Sequence, residues 1–320
     1  MKLLLAAFLV CSCAIVQAQM RSNLAQYMLN QGVINPGFAD IETRYSATIA
    51  ARKQWMTMGD TPFTGFSTGH YHFSRNHSIG GNISSDQVNE VNVTDISANY
   101  VFHLWLSRKV ALGLGVKLGY QQISMKNNFV YFGADLDPAL SRTRKAGFNM
   151  GTGLSIQSKN FLFGISMPYI FNNALANSIK QYSTTNNHVY STIGYKCRFS
   201  DGFVFYPSVL VKAVSGAPLS ISFDGHILVN QLFWFGGGYR SDNTVGISAG
   251  LFLDKGLRIV YTYESATFSS HGRLDSSHEL SLNFARTIYE SPFSKRLYRN
   301  RNGKMYKNPE RRNKINHSLY

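Results

Sequence analysis

His70 and His72 stand two residues apart, a spacing that puts both imidazoles on one face of an extended strand and that a metal site could use. No acidic or cysteine side chain lies beside them in the sequence, so they read as polar residues near a strand end. Outer-membrane lipase chemistry would need a Ser-His-Asn/Asp set. Serines and histidines are plentiful, but none is assigned as a nucleophile or base, and the expectation is a protein that is not an enzyme, with no catalytic, cofactor-binding or metal-binding residue. Of three cysteines, Cys11 and Cys13 fall in the N-terminal leader, which leaves Cys197 alone, with no disulfide, metal cluster or redox pair. A further set of titratable residues, Lys117, Lys196, Arg198, Lys212, Asp224, Arg258, Glu264 and Glu279, recurs on one parity of otherwise apolar segments. Mixed charge on one face suits the water-containing interior of a barrel better than any surface in contact with lipid.

The leader sets the compartment. Lys2, the apolar run Leu3 to Val10 and the small-residue site Val16-Gln17-Ala18 form a secretory signal over residues 1–18, with the mature chain starting at Gln19. Ser12-Cys13 offers a competing lipidation site, weakened by Cys11 before it. Beyond the leader there is no run of ~18 or more apolar residues, so no helical membrane span is expected. The chain nevertheless carries 22 Phe, 18 Tyr and 27 Gly, and only 15% charged residues. That is well below the ~25% usual for soluble domains. Export without a membrane helix leaves a transmembrane barrel, with a secreted β-sandwich or jelly roll as the competitor.

Period-2 alternation favours the barrel. Leu112, Leu114, Val116, Leu118 and Tyr120 share one face, and Ala111, Gly113, Gly115, Lys117 and Gly119 share the other. The pattern recurs around 148–156, 161–167, 219–224, 245–253 and 279–284. Glycine weakens an exposed strand, whereas inside a barrel it makes room for longer neighbours. Fourteen antiparallel strands follow, at 45–54, 62–73, 78–85, 93–106, 110–124, 146–157, 160–169, 188–199, 202–213, 218–229, 231–240, 244–253, 256–265 and 276–286. Every second connection is a tight polar turn, such as Ser107-Arg108-Lys109 or Ser158-Lys159, while 125–145, 170–187 and 266–275 are long. Short periplasmic turns and long outer loops are the habit of outer-membrane barrels, which predicts a multi-pass protein with both termini periplasmic. The domain plan is a lead-in segment at 19–44, the barrel at 45–286 and a tail at 287–320. Tyr100, Tyr120, Tyr131, Tyr169, Tyr195, Tyr206, Tyr239 and Tyr263 are expected in interfacial belts.

The tail carries Lys295, Arg296, Arg299, Arg301, Lys304, Lys307, Arg311, Arg312 and Lys314 against the single acid Glu310. It lacks apolar periodicity and is expected to be unstructured by itself. Nucleic acid is not an expected partner in the periplasm; an acidic periplasmic protein, peptidoglycan or lipid headgroups suit its charge.

Short motifs then point to a family. Gln26-Tyr27-Met28-Leu29-Asn30 and Val33-Ile34-Asn35-Pro36-Gly37-Phe38-Ala39 resemble the opening of the PorP/SprF family of the Bacteroidetes type IX secretion system. Arg52-Lys53-Gln54-Trp55 with Gly59-Asp60-Thr61-Pro62, then Pro207-Ser208 through Lys212 to Ser215-Gly216-Ala217-Pro218-Leu219, are similar to later family elements. Gly238-Tyr239-Arg240 and Ser277-His278-Glu279-Leu280 complete the series over about 24–286. Gln31-Gly32, Asp40 and the basic tail depart from the family pattern. The resemblance implies a role in protein export across the outer membrane and, in some relatives, gliding motility. The partners it implies are periplasmic ring or lipoprotein components, or the C-terminal signal domains of exported cargo. Candidate partner contacts are Tyr27, Asn30, Asn35, Pro36, Arg52, Trp55 and the nine basic tail residues; for the first group, barrel closure and plugging is the competing role. A diffusion porin or small-solute transporter is the alternative function.

Overall fold

The computed structural model describes residues 24–56, 61–125, 144–172, 188–200, 202–214, 217–253, 256–266 and 276–287, with short pieces at 298–299 and 305–306. Tyr131, the long loops and most of the basic tail lie outside the described residues.

Fourteen antiparallel strands close into a barrel. They are β1 (Thr43–Lys53), β2 (Phe63–His72), β3 (His77–Val88), β4 (Val91–Trp105), β5 (Val110–Met125), β6 (Arg144–Ser158) and β7 (Phe161–Asn172). The circuit continues with β8 (His188–Tyr195, resumed after Lys196 by Cys197–Ser200), β9 (Phe203–Val214), β10 (Ser220–Val229) and β11 (Phe233–Arg240). It ends with β12 (Thr244–Phe252), β13 (Leu257–Ala266) and β14 (Ser276–Thr287). Each strand pairs with its neighbours in sequence, and β1 pairs with β14 through Ile49 opposite Leu282 and Arg52 opposite Glu279, which removes both sheet edges. All fourteen expected strands are present, displaced at their ends by three residues at most. A four-residue turn, α1 (Gln31–Ile34), is the only α-helical element among the described residues.

The alternation resolves as expected. On β5, 111, 113, 115, 117, 119 and 121 are buried while 114, 116, 118 and 120 are exposed. Exposed apolar side chains such as Ile49, Ile83, Leu118, Phe148, Ile247 and Leu282 cover the outer wall of the whole circuit. No soluble protein leaves so much apolar surface in water; hydrocarbon is the solvent that matches it. The turns tie the strands at one end: in the three-residue connection 230–232, Asn230 and Gln231 both adopt positive φ (50° and 58°), and Leu232 N–H donates to the Val229 carbonyl at 3.1 Å. The strand ends that flank residues 126–143, 173–187 and 267–275 all lie at the other end. These are called the turn end and the loop end below.

Two expectations change. Residues 24–42 do not lie beneath the barrel as a lead-in segment; they run inside the lumen, because Gln26, the Ile34 carbonyl and Asn35 find hydrogen-bond partners on the strand walls that a lead-in strand would lack. Tyr206 is not in a belt but buried in the lumen against Trp234, and Tyr169 turns inward under the Lys117 ammonium, 3.9 Å from its ring. In the tail, Tyr298–Arg299 pairs with Met305–Tyr306 as a minimal hairpin.

Candidate functional site

The lumen is filled by the N-terminal segment, and the contacts between them form the site. Descending toward β1, Ala25 and Gln26 donate their backbone N–H groups to Glu279 at 2.8 and 3.1 Å. The Gln26 amide donates to the Val260 carbonyl and Thr262 hydroxyl, and its oxygen accepts from Ser281. Tyr27 shares a 3.0 Å hydrogen bond with Ser208 on β9. The single turn α1 then sets Ile34 so that its carbonyl accepts from Ser166 on β7 at 2.7 Å.

Asn35-Pro36-Gly37 is the tightest part. The Asn35 amide donates to the Leu154 carbonyl at 2.9 Å, and its oxygen accepts from Gly37 N at 2.8 Å, an Asx turn that proline then stiffens. The Gly37 carbonyl accepts from Ser155 at 2.7 Å. Opposite this turn the wall is glycine: Gly113 and Gly115 on β5, Gly153 on β6 and Gly164 on β7. A Cβ on Gly115 would overlap the Pro36 carbonyl, one on Gly153 would overlap Asn35, and one on Gly164 would come within 2.6 Å of the Asn35 amide. The glycines therefore accommodate a passing backbone rather than long side chains. From Asp40, whose carbonyl meets His72 Nε2 at 2.9 Å, the chain turns into β1.

A buried charge network locks the segment at its start. Arg52, 2% exposed, pairs with Glu279 (3.2 Å) and with Glu264; Arg240 joins Glu264 at 3.3 Å and reaches Asp242 at 2.9 Å. Glu279 is fully buried and would be prohibitive without these partners. Lys117 pairs with Asp95 at 3.1 Å, and Asn149 donates to the same carboxylate. Of the other expected inward charges, Lys196, Lys212 and Arg258 are buried, whereas Arg198 is exposed beyond the interruption of β8. Near the turn end, burial together with the negative charge of Asp40 pushes the Glu42 carboxyl up to about 7.

His70 and His72 belong to a polar cluster of neighbouring side chains. Ser78, 0% exposed, lies 2.7 Å from His72 Nδ1 and 2.9 Å from His103 Nε2, and His70 meets Thr43 and Ser46. Among the described residues no group of three His, Cys, Asp or Glu side chains is placed to hold a metal ion. Two pentapeptides, Gly65-Phe66-Ser67-Thr68-Gly69 and Gly246-Ile247-Ser248-Ala249-Gly250, do spell G-x-S-x-G. Both lie within straight strands, β2 and β12, and not at the strand-to-helix elbow that exposes a nucleophile; Ser248 bonds to Thr262.

Sequence reasoning missed an apolar cluster inside the lumen. Trp234, 1% exposed, stacks on Phe252 (5.1 Å) and His226 (4.8 Å) and packs with Val204, Tyr206, Leu228, Val260 and the segment's Leu29. Phe233-Trp234-Phe235 is apolar on both parities, which hides the inward residue; its neighbour in register, Leu228 opposite Trp234, was the available signal. Toward the loop end a cavity of about 120 Å³ remains, lined in part by Tyr27, Ile34, Phe66, Tyr169, Leu210 and Lys212.

The sequence-selected positions therefore separate. Tyr27, Asn30, Asn35, Pro36 and Arg52 are all buried in the lumen, while Trp55, at φ 53°, is exposed just past β1 at the loop end. The motif residues converge although they are distant in sequence: Tyr27 meets Ser208, Arg52 meets Glu279, and Arg240 closes the same network.

A closed antiparallel barrel with an apolar outer wall and a chain-filled polar lumen defines an outer-membrane β-barrel protein. The family is settled by a match over residues 16–284 to the model of the type IX secretion system membrane protein PorP/SprF. The chain belongs to that family and is an outer-membrane component of type IX secretion. No curated protein matches it. Among solved structures, it is similar to Omp33 of Acinetobacter baumannii (8% identity, 77% of this chain and 100% of that one, TM-score 0.44). The toluene transporter TbuX of Ralstonia pickettii aligns at 10% identity over 82% of this chain and 93% of its own (TM-score 0.48). The Pseudomonas putida toluene transporter TodX aligns at 9% identity over 85% and 95% (TM-score 0.45). These are likenesses of barrel architecture only.

Proposed function

We propose that the chain is a plugged, non-enzymatic docking barrel of the secretion system, which supports export or surface attachment of cargo by holding periplasmic machinery or the cargo's C-terminal signal domain. The observation that carries this is the fit between Asn35-Pro36-Gly37 and the glycines of β5, β6 and β7. A wall shaped around one specific peptide turn, with hydrogen bonds to seven or so strands, suits an occupied lumen better than a solute path. Tyr27, Asn30, Asn35, Pro36 and Arg52 would meet a partner only if the plug withdrew, so their role in this reading is to hold it. The basic tail, which follows β14 at the turn end, is the candidate contact for periplasmic machinery, and Trp55, at the opposite loop end, is the candidate contact for cargo at the cell surface; motility would follow where that cargo is an adhesin. Both termini are assigned to the periplasm, as short turns on that side favour.

Planar-bilayer recording of the purified protein, with crosslinking and mass spectrometry of what co-extracts, tests the reading. A silent barrel that brings secretion components with it supports docking. A steady open pore from the intact chain would mean the diffusion-porin alternative, and covalent capture by a serine-directed probe would mean an enzyme.

A further inference from the structure

Among the described residues, charge is distributed unequally between the two ends. At the turn end, Arg44, Arg108, Lys109, Lys159, Arg198 and Arg286 are exposed, and Arg75 is half-buried with its guanidinium 4.7 Å from the Trp105 ring. The described acids at that end are Asp40, buried in the lumen, and Glu42, half-buried. At the loop end the described cations Lys53, Arg144 and Lys145 are matched by Asp86, Glu90 and Asp242.

We propose that the turn-end cations form a collar that binds the phosphates of anionic phospholipids in the adjoining leaflet. Depth is the first reason. Each cation sits in a turn or on the last residues of a strand, directly beyond exposed apolar side chains such as Phe73, Leu106, Phe161, Phe199 and Phe203. That is where headgroups begin when those side chains are in hydrocarbon. Shape is the second reason. The collar runs from β14 through β1 to β8, nine of fourteen strands. At about 4.8 Å per strand it is an arc of roughly 40 Å on a convex wall. A rigid acidic protein touches one side of a convex wall; a fluid leaflet contacts the whole arc at once. The basic tail leaves β14 at this same end and adds charge of the same sign. Anionic headgroups attract such a cluster strongly, and salt weakens the attraction.

The test titrates the full-length mature protein, extracted in neutral detergent, with short-chain phosphatidylglycerol, phosphatidylcholine and diphosphoryl lipid A by native mass spectrometry. Phosphatidylglycerol should be retained at least tenfold better than phosphatidylcholine, with the preference collapsing to under threefold when the six exposed cations are changed to Gln. A Lys53→Gln, Arg144→Gln, Lys145→Gln variant should keep the preference. Heat-modifiable gel migration reports assembly; if the six-site variant does not assemble, Arg108→Gln, Lys109→Gln, Lys159→Gln serves, with about half the loss expected. Equal retention of the two phospholipids, or a preference unchanged in the collar variants, overturns the proposal. Collar-dependent preference for lipid A over phosphatidylglycerol overturns the phospholipid assignment. Loss of a co-purifying acidic protein with lipid retention unchanged makes the collar a protein-binding surface instead.

Discussion

The polar and apolar walls of the lumen hold the plug by different physics. On the β5–β7 side the wall is glycine and serine, and the plug's own backbone provides the hydrogen-bonding groups; on the β14–β1 side a network of Arg52, Glu264 and Glu279 adds charge. On the β9–β13 side Trp234, Phe252 and their neighbours offer Leu29 an apolar surface. The difference teaches that a barrel lumen need not be uniformly polar. Where a chain fills it, each wall is matched to the part of the chain it meets, as in a soluble core. Polar matching specifies position and register, because each hydrogen bond has one geometry; apolar matching stabilises without specifying much.

That contrast can be broken from the polar side first. Arg52→Ala leaves the buried Glu279 carboxylate without its guanidinium partner and leaves Glu264 with Arg240 alone. The expected loss is about 3–5 kcal/mol, seen as a lower denaturation midpoint in detergent. Adding Glu279→Gln should recover much of it, and a double-mutant cycle showing simple additivity would mean the network is not a unit. Trp234→Ala should cost about 3 kcal/mol, toward the low end for a buried aromatic, since Leu29 can settle toward the vacated space. It should leave the plug in register, so the bilayer current should stay silent.

Gly115→Val sharpens the comparison from the other wall. Overpacking costs about 1–3 kcal/mol in a well-packed core. Here the cheapest relief is for Pro36 and Gly37 to move away. The variant should therefore lose little barrel stability while gaining intermittent conductance and faster hydrogen exchange across residues 30–42. Unchanged exchange would show that the glycine seat does not hold the plug. The smallest effect concerns pH. Burial raises the Glu42 carboxyl to about 7, so the docked state favours its protonated form. Its contribution is whole below the ordinary carboxylate pKa near 4.5 and is lost as pH rises through about 7. Exchange in the plug, after correction for the intrinsic base-catalysed rise of amide exchange, should increase modestly between pH 5 and 8, and Glu42→Gln should flatten the corrected profile.

Much of this was legible in the order of residues. The strands of β5 and β6 were, since one parity is Leu, Val and Ile and the other Gly, Ser and Lys, and only a two-sided environment sorts them so. The lumen location of Lys117, Glu264 and Glu279 followed from the same parity. Phe233-Trp234-Phe235 was not legible, because an apolar run carries no period, and neither was the inward turn of Tyr169 past Pro168.

The sequence by itself determined the barrel, its strand count and the turn-and-loop asymmetry, because alternation and turn residues are local properties that each segment expresses without the others. Tertiary structure alone decided that residues 24–42 fill the lumen, that Asn35-Pro36-Gly37 rests on four glycines from three strands, and that Arg52 meets Glu279. Asn35 lies 119 positions from Leu154, and Arg52 lies 227 positions from Glu279, so only the closed barrel brings them within hydrogen-bonding distance.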